Sequence, residues 1–408
     1  MPATNTPTTL ASRLKEIYPD GPTQLVPAAN ELFGKRLEFR KDIPAGEKIR
    51  FDVQLSGEQG FSYGSGEVAL LGAIAQESAK AEVVGFSVVL QSNVSYDAIS
   101  RAKTSKQAFA QFNNSKYIPS AESFRTRAEL LCMGHGRQGI AVVASVSGQV
   151  ITITPGSWCS AMLLTLKGST LVAHTAITAG SQHNGDLTMG AISIANRTIT
   201  VAGTADAVVA GDILFLKGAR GASPYGLMDI ANNTGTLYNI SASTYELWSA
   251  NAYDVGTSAL TLGKASLASA MAADKGCNEP LTMLVPNKAF QSMVNDQAAL
   301  REYGANYSKD KAETGWESIC FHGASGKLTI VPYAFAKEGE AVMFPERYTY
   351  VLGSEEMTNE VGPGGDILFD LESASAKQMR WFGDFTVFCE KPGYMVKLSR
   401  SDGLALHT

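Results

Sequence analysis

The sequence predicts an α+β fold with a β-rich domain set into its middle. Three observations carry this. Residues 139–236 hold no glutamate, four aspartates, two lysines and two arginines, and are dominated by Val, Ile, Thr, Ser, Ala and Gly. Helical apolar spacing flanks that stretch on both sides. Alternating or continuous apolar runs of strand length lie near the start, after residue 280 and at the end of the chain.

Residues 1–34 read as an arm. Leu10, Leu14 and Ile17 recur at i, i+4, i+7, one apolar stripe on a short helix that Pro19, Gly21 and Pro22 stop. A single short stripe cannot hold a helix in water, so it is expected to dock, on its own domain or on a neighbouring chain. Residues 35–95 read as an extended β loop. Ile49, Phe51, Val53 and Leu55 alternate with Arg50, Asp52 and Gln54, the period of a half-buried strand, and Leu37 and Phe39 form a shorter matching run. Pro44-Ala45-Gly46 supplies a turn between them. Gly57 to Gly66 places four glycines around Phe61 and Tyr63, and Val83 to Leu90 is a further strand candidate.

Residues 96–138 read as helical. Ile99, Ala102, Lys106, Phe109 and Phe112 fit one face, and Pro119 suits the first turn of a second helix carrying Ala121, Phe124, Ala128 and Leu131. Gly134 and Gly136 stand where a left-handed C-terminal cap is expected. In residues 139–236, the runs Gly148 to Ile153, Asn196 to Val201 and Ile213 to Leu216, separated by Gly, Ser and Asn, argue a small β-barrel or sandwich. Residues 237–350 turn α+β. Ala265 to Ala273 is a small-residue helix, Leu281 to Val285 a strand, and Pro286 opens a helix running through Phe290 and Met293 to about Tyr303. Lys327 to Tyr333 and Glu340 to Phe344 are strand-like. Residues 351–408 hold one long strand, Phe385 to Glu390, and Met395 to Leu398 beyond Pro392-Gly393.

Composition narrows the function. Charged residues make up 18% of the 408, below the roughly 25% of ordinary soluble chains, while the hydrophobic share is 45%. Five cysteines with no CxxC pair argue against a disulfide scaffold and fit a reducing compartment. Net charge is −5 without a basic block, so sequence-specific nucleic-acid binding is not expected. No window approaches a transmembrane helix and the N-terminus lacks a signal-peptide run, so no membrane partner is expected.

No catalytic, cofactor-binding or metal-binding constellation emerges, and an enzyme is not expected. His135, in Gly134-His135-Gly136, reads as a helix-end residue. His174 and His183 have no third ligand at zinc spacing. Cys320 and His322 are two apart on a candidate strand, where a buried cysteine acts as a small hydrophobe. Gly60 to Gly66 lacks a Walker lysine, and Gly134 to Gly139 fits GxGxxG only after a helix, the wrong context for a dinucleotide turn.

The order of parts resembles the major capsid proteins of tailed bacteriophages, the Hong-Kong-ninety-seven-type fold. Four passages carry the resemblance. Glu67 to Arg101 is similar to an extended loop running into a spine helix. Gly211-Asp212-Ile213-Leu214 and Gly226-Leu227-Met228-Asp229-Ile230 are similar to GD-aliphatic and GL-x-x-aliphatic passages of that family. Leu284-Val285-Pro286-Asn287 resembles the strand-to-helix entry of the axial domain, and Arg380 to Pro392 the closing strand of the peripheral domain.

The resemblance implies a non-enzymatic shell subunit that self-assembles as hexamers and pentamers around packaged double-stranded DNA, which it contacts without specificity. Its partners would be scaffold and portal proteins and a decoration or cement protein; it would be made in the bacterial host cytoplasm and reside in the virion. Residues 35–95 would lie across the adjacent subunit, 96–138 and 351–408 would form the peripheral domain, 237–350 the axial domain, and 139–236 an inserted domain. Leu10, Leu14, Ile17, Phe61 and Tyr63 are the expected inter-subunit contacts. Other readings are an encapsulin-like nanocompartment shell and another phage structural protein such as a tail-tube subunit.

Overall fold

The computed structural model describes residues 32–40, 48–70, 72–96, 117–183, 185–203, 205, 207–294, 318–361, 368–371 and 375–407. Leu10, Leu14 and Ile17, the helix Ile99–Phe112, the turn Pro44–Gly46 and the helix beyond Val294 lie outside the described residues.

Strand β1 (Ile49–Gln54) pairs antiparallel with β2 (Ser78–Val83) over six residues with no register shift. A third strand, β3 (Phe86–Ser95), follows after only Val84 and Gly85. The apolar run Val83–Leu90 is therefore two strands rather than one. It breaks at Gly85, where a Cβ would collide with the Asp384 carboxylate.

Helix α1 (Ile118–Met133) carries Pro119 in its first turn and ends at Gly134, φ 108°, the left-handed cap expected from the sequence. Beyond it the chain enters a closed six-stranded barrel, settling the choice between barrel and sandwich. Its strands are β4 (Ala141–Ser147), β5 (Val150–Ile153), β6 (Thr170–His174), β7 (Leu187–Ser193), β8 (Thr198–Ala202) and β9 (Ile213–Leu216), closed in the order β4-β5-β8-β7-β6-β9. The short helix α2 (Ser160–Thr165) lies between β5 and β6. Ile151, Leu171, Leu187, Ile199 and Leu214 are all fully buried. Helix α3 (Leu227–Ala231) leads out of the barrel.

The small hairpin β10 (Thr236–Leu237) and β11 (Ile240–Ser241) precedes β12 (Asn251–Asp254), helix α4 (Leu262–Asp274), β13 (Leu281–Val285) and helix α5 (Asn287–Val294). After these come β14 (Ile319–Gly323), β15 (Gly326–Pro332), β16 (Glu340–Phe344), β17 (Thr349–Asn359), β18 (Leu368–Asp370), β19 (Ala376–Cys389) and β20 (Val396–Ser399). A six-stranded sheet runs β12-β20-β16-β13-β15-β14. One face of this sheet packs a core of its own, including Ala265, Ala268, Met283, Val285 and Met293, while Leu284, Val331, Val342 and Phe344 join the larger core of the rest of the chain.

The second sheet centres on β19, which pairs with β3 along Ala376–Phe385 on one edge and with β17 and β18 on the other. Two strands cross the divisions expected from sequence: β3 leaves the loop region for this sheet, and β20 leaves the C-terminal segment for the six-stranded sheet. Leu37 and Phe39 do not accompany Ile49; Phe39 bridges to Val351, and Arg40 donates its N–H to the Val351 carbonyl. Strand β17 escapes pattern reading because its pairing shifts register twice, between Leu352 and Glu355 and again before Thr358. Helix α1 is fixed to the sheet by the Trp381 indole N–H, which donates to Ser120 Oγ at 2.9 Å.

Candidate assembly surface

The β1–β2 ladder ends in an excursion, residues 55–77, that holds no helix or strand among its described residues. Its base is firm. The amides of Leu55 and Ser56 both donate to the Glu77 carbonyl, and the Phe51 ring stacks on Phe388 at 4.7 Å. The Tyr245 hydroxyl donates to Glu77 Oε1 at 2.7 Å. Lys48 and Arg50 flank Glu82, and the Lys48 hydrogen bond holds its carboxyl below the usual range.

Beyond this base the side chains stand in solvent. Phe61 is 61% exposed, Tyr63 87% and Leu70 89%, and Val68 and Ile74 are exposed as well. The sequence singled out Phe61 and Tyr63; the structure adds Leu70 and Ile74, whose Leu/Ala/Ile-rich surroundings resemble core sequence. The expected contacts Leu10, Leu14 and Ile17 lie outside the described residues. Where the chain enters the described region, it is clamped. Both oxygens of the buried Glu129 carboxylate on α1 accept backbone N–H groups, from Leu32 at 2.8 Å and Phe33 at 2.7 Å. Sequence reasoning did not find Glu129, because an isolated glutamate on a helix reads as a solvated face.

The residues weighed for chemistry sit in structural roles. His135 is buried where α1 meets the barrel, with Nε2 2.7 Å from the Phe335 carbonyl. Burial, aided by nearby Lys337, lowers its pKa to about 4. Nearby, Asp229 accepts from Gln138 Nε2 at 2.9 Å and from the Gly226 N–H at 2.8 Å, and burial raises its pKa to about 7. Lys337, also buried, donates to the Gly139 carbonyl at 2.9 Å. His183 Nδ1 lies 2.9 Å from Asp212 Oδ2, and Arg220 donates to the carbonyls of Ala176, Ile177, Thr178 and Gly180, tying a loop to the barrel rim.

Cys320 is exposed rather than buried, because side chains alternate along β14: Ile319 turns into the core while Cys320 and His322 share the outward face. The other four cysteines are buried, and burial pushes the Cys159 thiol up to about 12 and Cys389 up to about 11. Among the described residues no group of three His, Cys, Asp or Glu is placed to hold a metal ion. Among them, no helix is long and apolar enough to cross a membrane.

No protein-family model and no curated protein sequence matches the chain. Solved structures do. A chain of the cyanophage A-1(L) capsid asymmetric unit aligns over 96% of this chain and 97% of its own, with a TM-score of 0.51 and 10% identity. The chain has a phage capsid fold. A chain from the capsid of a native GTA particle aligns over 98% of this chain and 99% of its own, with a TM-score of 0.50 and 9% identity. Because both alignments run nearly end to end, the barrel and the excursion belong within the matched length of this capsid fold.

Proposed function

We propose that this chain is the structural subunit of an icosahedral phage shell. The observation that carries the reading is the end-to-end likeness to a phage capsid subunit. An excursion that leaves Phe61, Tyr63 and Leu70 in solvent supports it, since such exposure suits a chain that completes its burial on other copies. Subunits gather as hexamers and pentamers and enclose double-stranded DNA, touching it without sequence preference. A net charge of −5 suits a lining that releases its genome. Scaffold and portal proteins take part in assembly, a decoration protein coats the exterior, and the subunit is made in the host cytoplasm before it enters the virion.

In this reading the six-stranded sheet is the axial domain, the sheet around β19 with α1 is the peripheral domain, and the barrel is an inserted brace or platform. Phe61 and Tyr63 contact the neighbouring subunit, as do Leu10, Leu14 and Ile17 of the arm. The test is to express the chain with and without a scaffold and image the product by negative-stain microscopy. Closed shells tens of nanometres across are expected. Monomers or dimers under every condition, or rings stacking into tubes, overturn it.

A further inference from the structure

The five cysteines and five histidines of the chain all fall within the described residues, and one member of each set stands apart from the rest. Four of the thiols are buried, and Cys320 alone is exposed. Four of the imidazoles are engaged: His135 with the Phe335 carbonyl, His174 with Arg220, His183 with Asp212 and His407 with Glu338. Among the described residues no hydrogen bond, ion pair or ring contact holds His322. The exposed thiol and the unengaged imidazole are separated by a single residue. Both project from the solvent face of β14, whose other face turns Ile319 into the core and packs Phe321 against it.

Positions i and i+2 of a strand lie about 7 Å apart on one side of the sheet. A thiol and an imidazole at that separation can lean together onto one ion, since zinc takes sulfur at about 2.3 Å and nitrogen at about 2.0–2.1 Å. The antiparallel partner β15 sets Thr329 opposite Cys320 and Lys327 opposite His322. The Cys320 thiol donates to Thr329 Oγ1 at 3.7 Å, a weak bond that an ion can replace. Lys327 is exposed, and its long stem lets the ammonium swing clear into water. One sulfur and one nitrogen favour a zinc-class ion over calcium or magnesium, which seek oxygen. We propose that Cys320 and His322 form a surface site for a zinc-class divalent cation, with the ion's remaining positions open to water or to a donor from another molecule. On binding, the Cys320 sulfur gives up its proton to solvent and His322 ligates as the neutral imidazole, so affinity falls as pH is lowered. Two protein ligands are fewer than the three or four of an ordinary zinc centre, so the ion exchanges readily with solution.

The test titrates the whole untagged chain, reduced and freed of metal, with Co²⁺ as the coloured stand-in for Zn²⁺. One Co²⁺ per chain is expected, with a sulfur-to-metal charge-transfer absorption that excess Zn²⁺ abolishes. Cys320→Ser should remove that absorption. His322→Ala should weaken binding by roughly tenfold or more, at least what the loss of an outer partner of a metal ligand costs. Both side chains are exposed, so neither change should lower the urea midpoint. An absent absorption, one that survives Cys320→Ser, or an affinity indifferent to His322→Ala overturns the site. Wild type supplies a second measurement that needs no substitution. Saturating Zn²⁺ should slow iodoacetamide alkylation of Cys320 by roughly tenfold or more, read on its peptide by mass spectrometry, because the metal occupies the sulfur that would attack. Equal rates with and without Zn²⁺ overturn the site whatever the variants do. Neither measurement involves assembly, so their failure leaves the shell reading standing.

Discussion

The barrel and the excursion are made of similar material and reach opposite ends. Both are poor in charge, rich in glycine and supplied with aliphatic and aromatic side chains. In the barrel each strand finds two neighbours, so the sheet has no free edge and Leu171, Leu187 and Leu214 vanish from solvent. In the excursion Phe61, Tyr63 and Leu70 find no such ladder neighbours among the described residues and stay largely exposed. Composition alone does not decide whether a segment is self-sufficient; closure of the ladder does. The barrel should therefore govern the stability of the monomer and the excursion its association.

The largest expected effect on folding tests the barrel. Leu214 is fully buried on β9, between β4 and β6. Leu214→Ala removes three carbons and leaves a cavity, a loss of about 2–5 kcal/mol in an interior that cannot collapse around it. Urea unfolding of the monomer measures it. A loss under about 1 kcal/mol would mean a barrel that relaxes readily, erasing the contrast with the excursion.

Next in size is a pH effect at the junction feeding the barrel, where two buried groups oppose each other. The folded pKa of His135, about 4, lies below its unfolded 6.5. The unfolded chain therefore binds more protons between these values, and stability is lost as pH falls through that window, by about 3 kcal/mol in full. The folded pKa of Asp229, about 7, lies above its unfolded 3.8, so the folded chain holds the extra proton and stability is lost as pH rises from 4 to 7, by a similar amount of about 4 kcal/mol. Wild type should thus be nearly flat between pH 4.5 and 6.5. His135→Gln should uncover a fall in stability with rising pH, and Asp229→Asn a rise. Slopes of the same sign in the two variants would contradict the assignment.

A smaller effect concerns the segment that reaches α1. Glu129→Gln replaces one of two acceptor oxygens by an NH₂ facing a backbone N–H, of Leu32 or Phe33, which costs about 1–3 kcal/mol at a buried site. The loss should be local. Amides of Leu32 to Phe39 should exchange faster while those of β9 stay unchanged; uniform acceleration would show that the clamp supports the whole domain.

Much of this was legible in the sequence, for reasons that differ by element. The strands Leu281–Val285 and Glu340–Phe344 appear with the bounds expected, because they are short, continuous apolar runs in a sheet interior. Gly134 marked the end of α1 because only a residue tolerant of positive φ closes a helix that way. Strand β17 was hidden by its bulges, and β19 extends further toward the N-terminus than Phe385 because Lys377, Arg380 and Asp384 interrupt its apolar pattern. The aromatic pair of the excursion could be found as aromatics among glycines.

The smallest effect on folding is also the sharpest discriminator between the two regions. Phe61→Ala/Tyr63→Ala deletes two rings that are already mostly in water, so the folded monomer loses almost no buried area, and its urea midpoint should match wild type. Assembly should respond very differently. If both rings are buried on a neighbouring copy they behave as interface anchors, each about 2 kcal/mol or more, roughly thirtyfold in a single association step. Because every subunit of a shell makes the same contact, that loss recurs at each addition, and shell yield under limiting protein should drop steeply while the monomer stays soluble. Sedimentation of assembled material against monomer, at matched concentration, reads this directly. Undiminished shell yield and heat resistance would mean that the two rings are surface ornaments. Impaired yield together with a lowered urea midpoint would mean that they support the monomer fold. Only an unchanged monomer with defective shells separates a segment that stabilises itself, as the barrel does, from one that is completed by its neighbour.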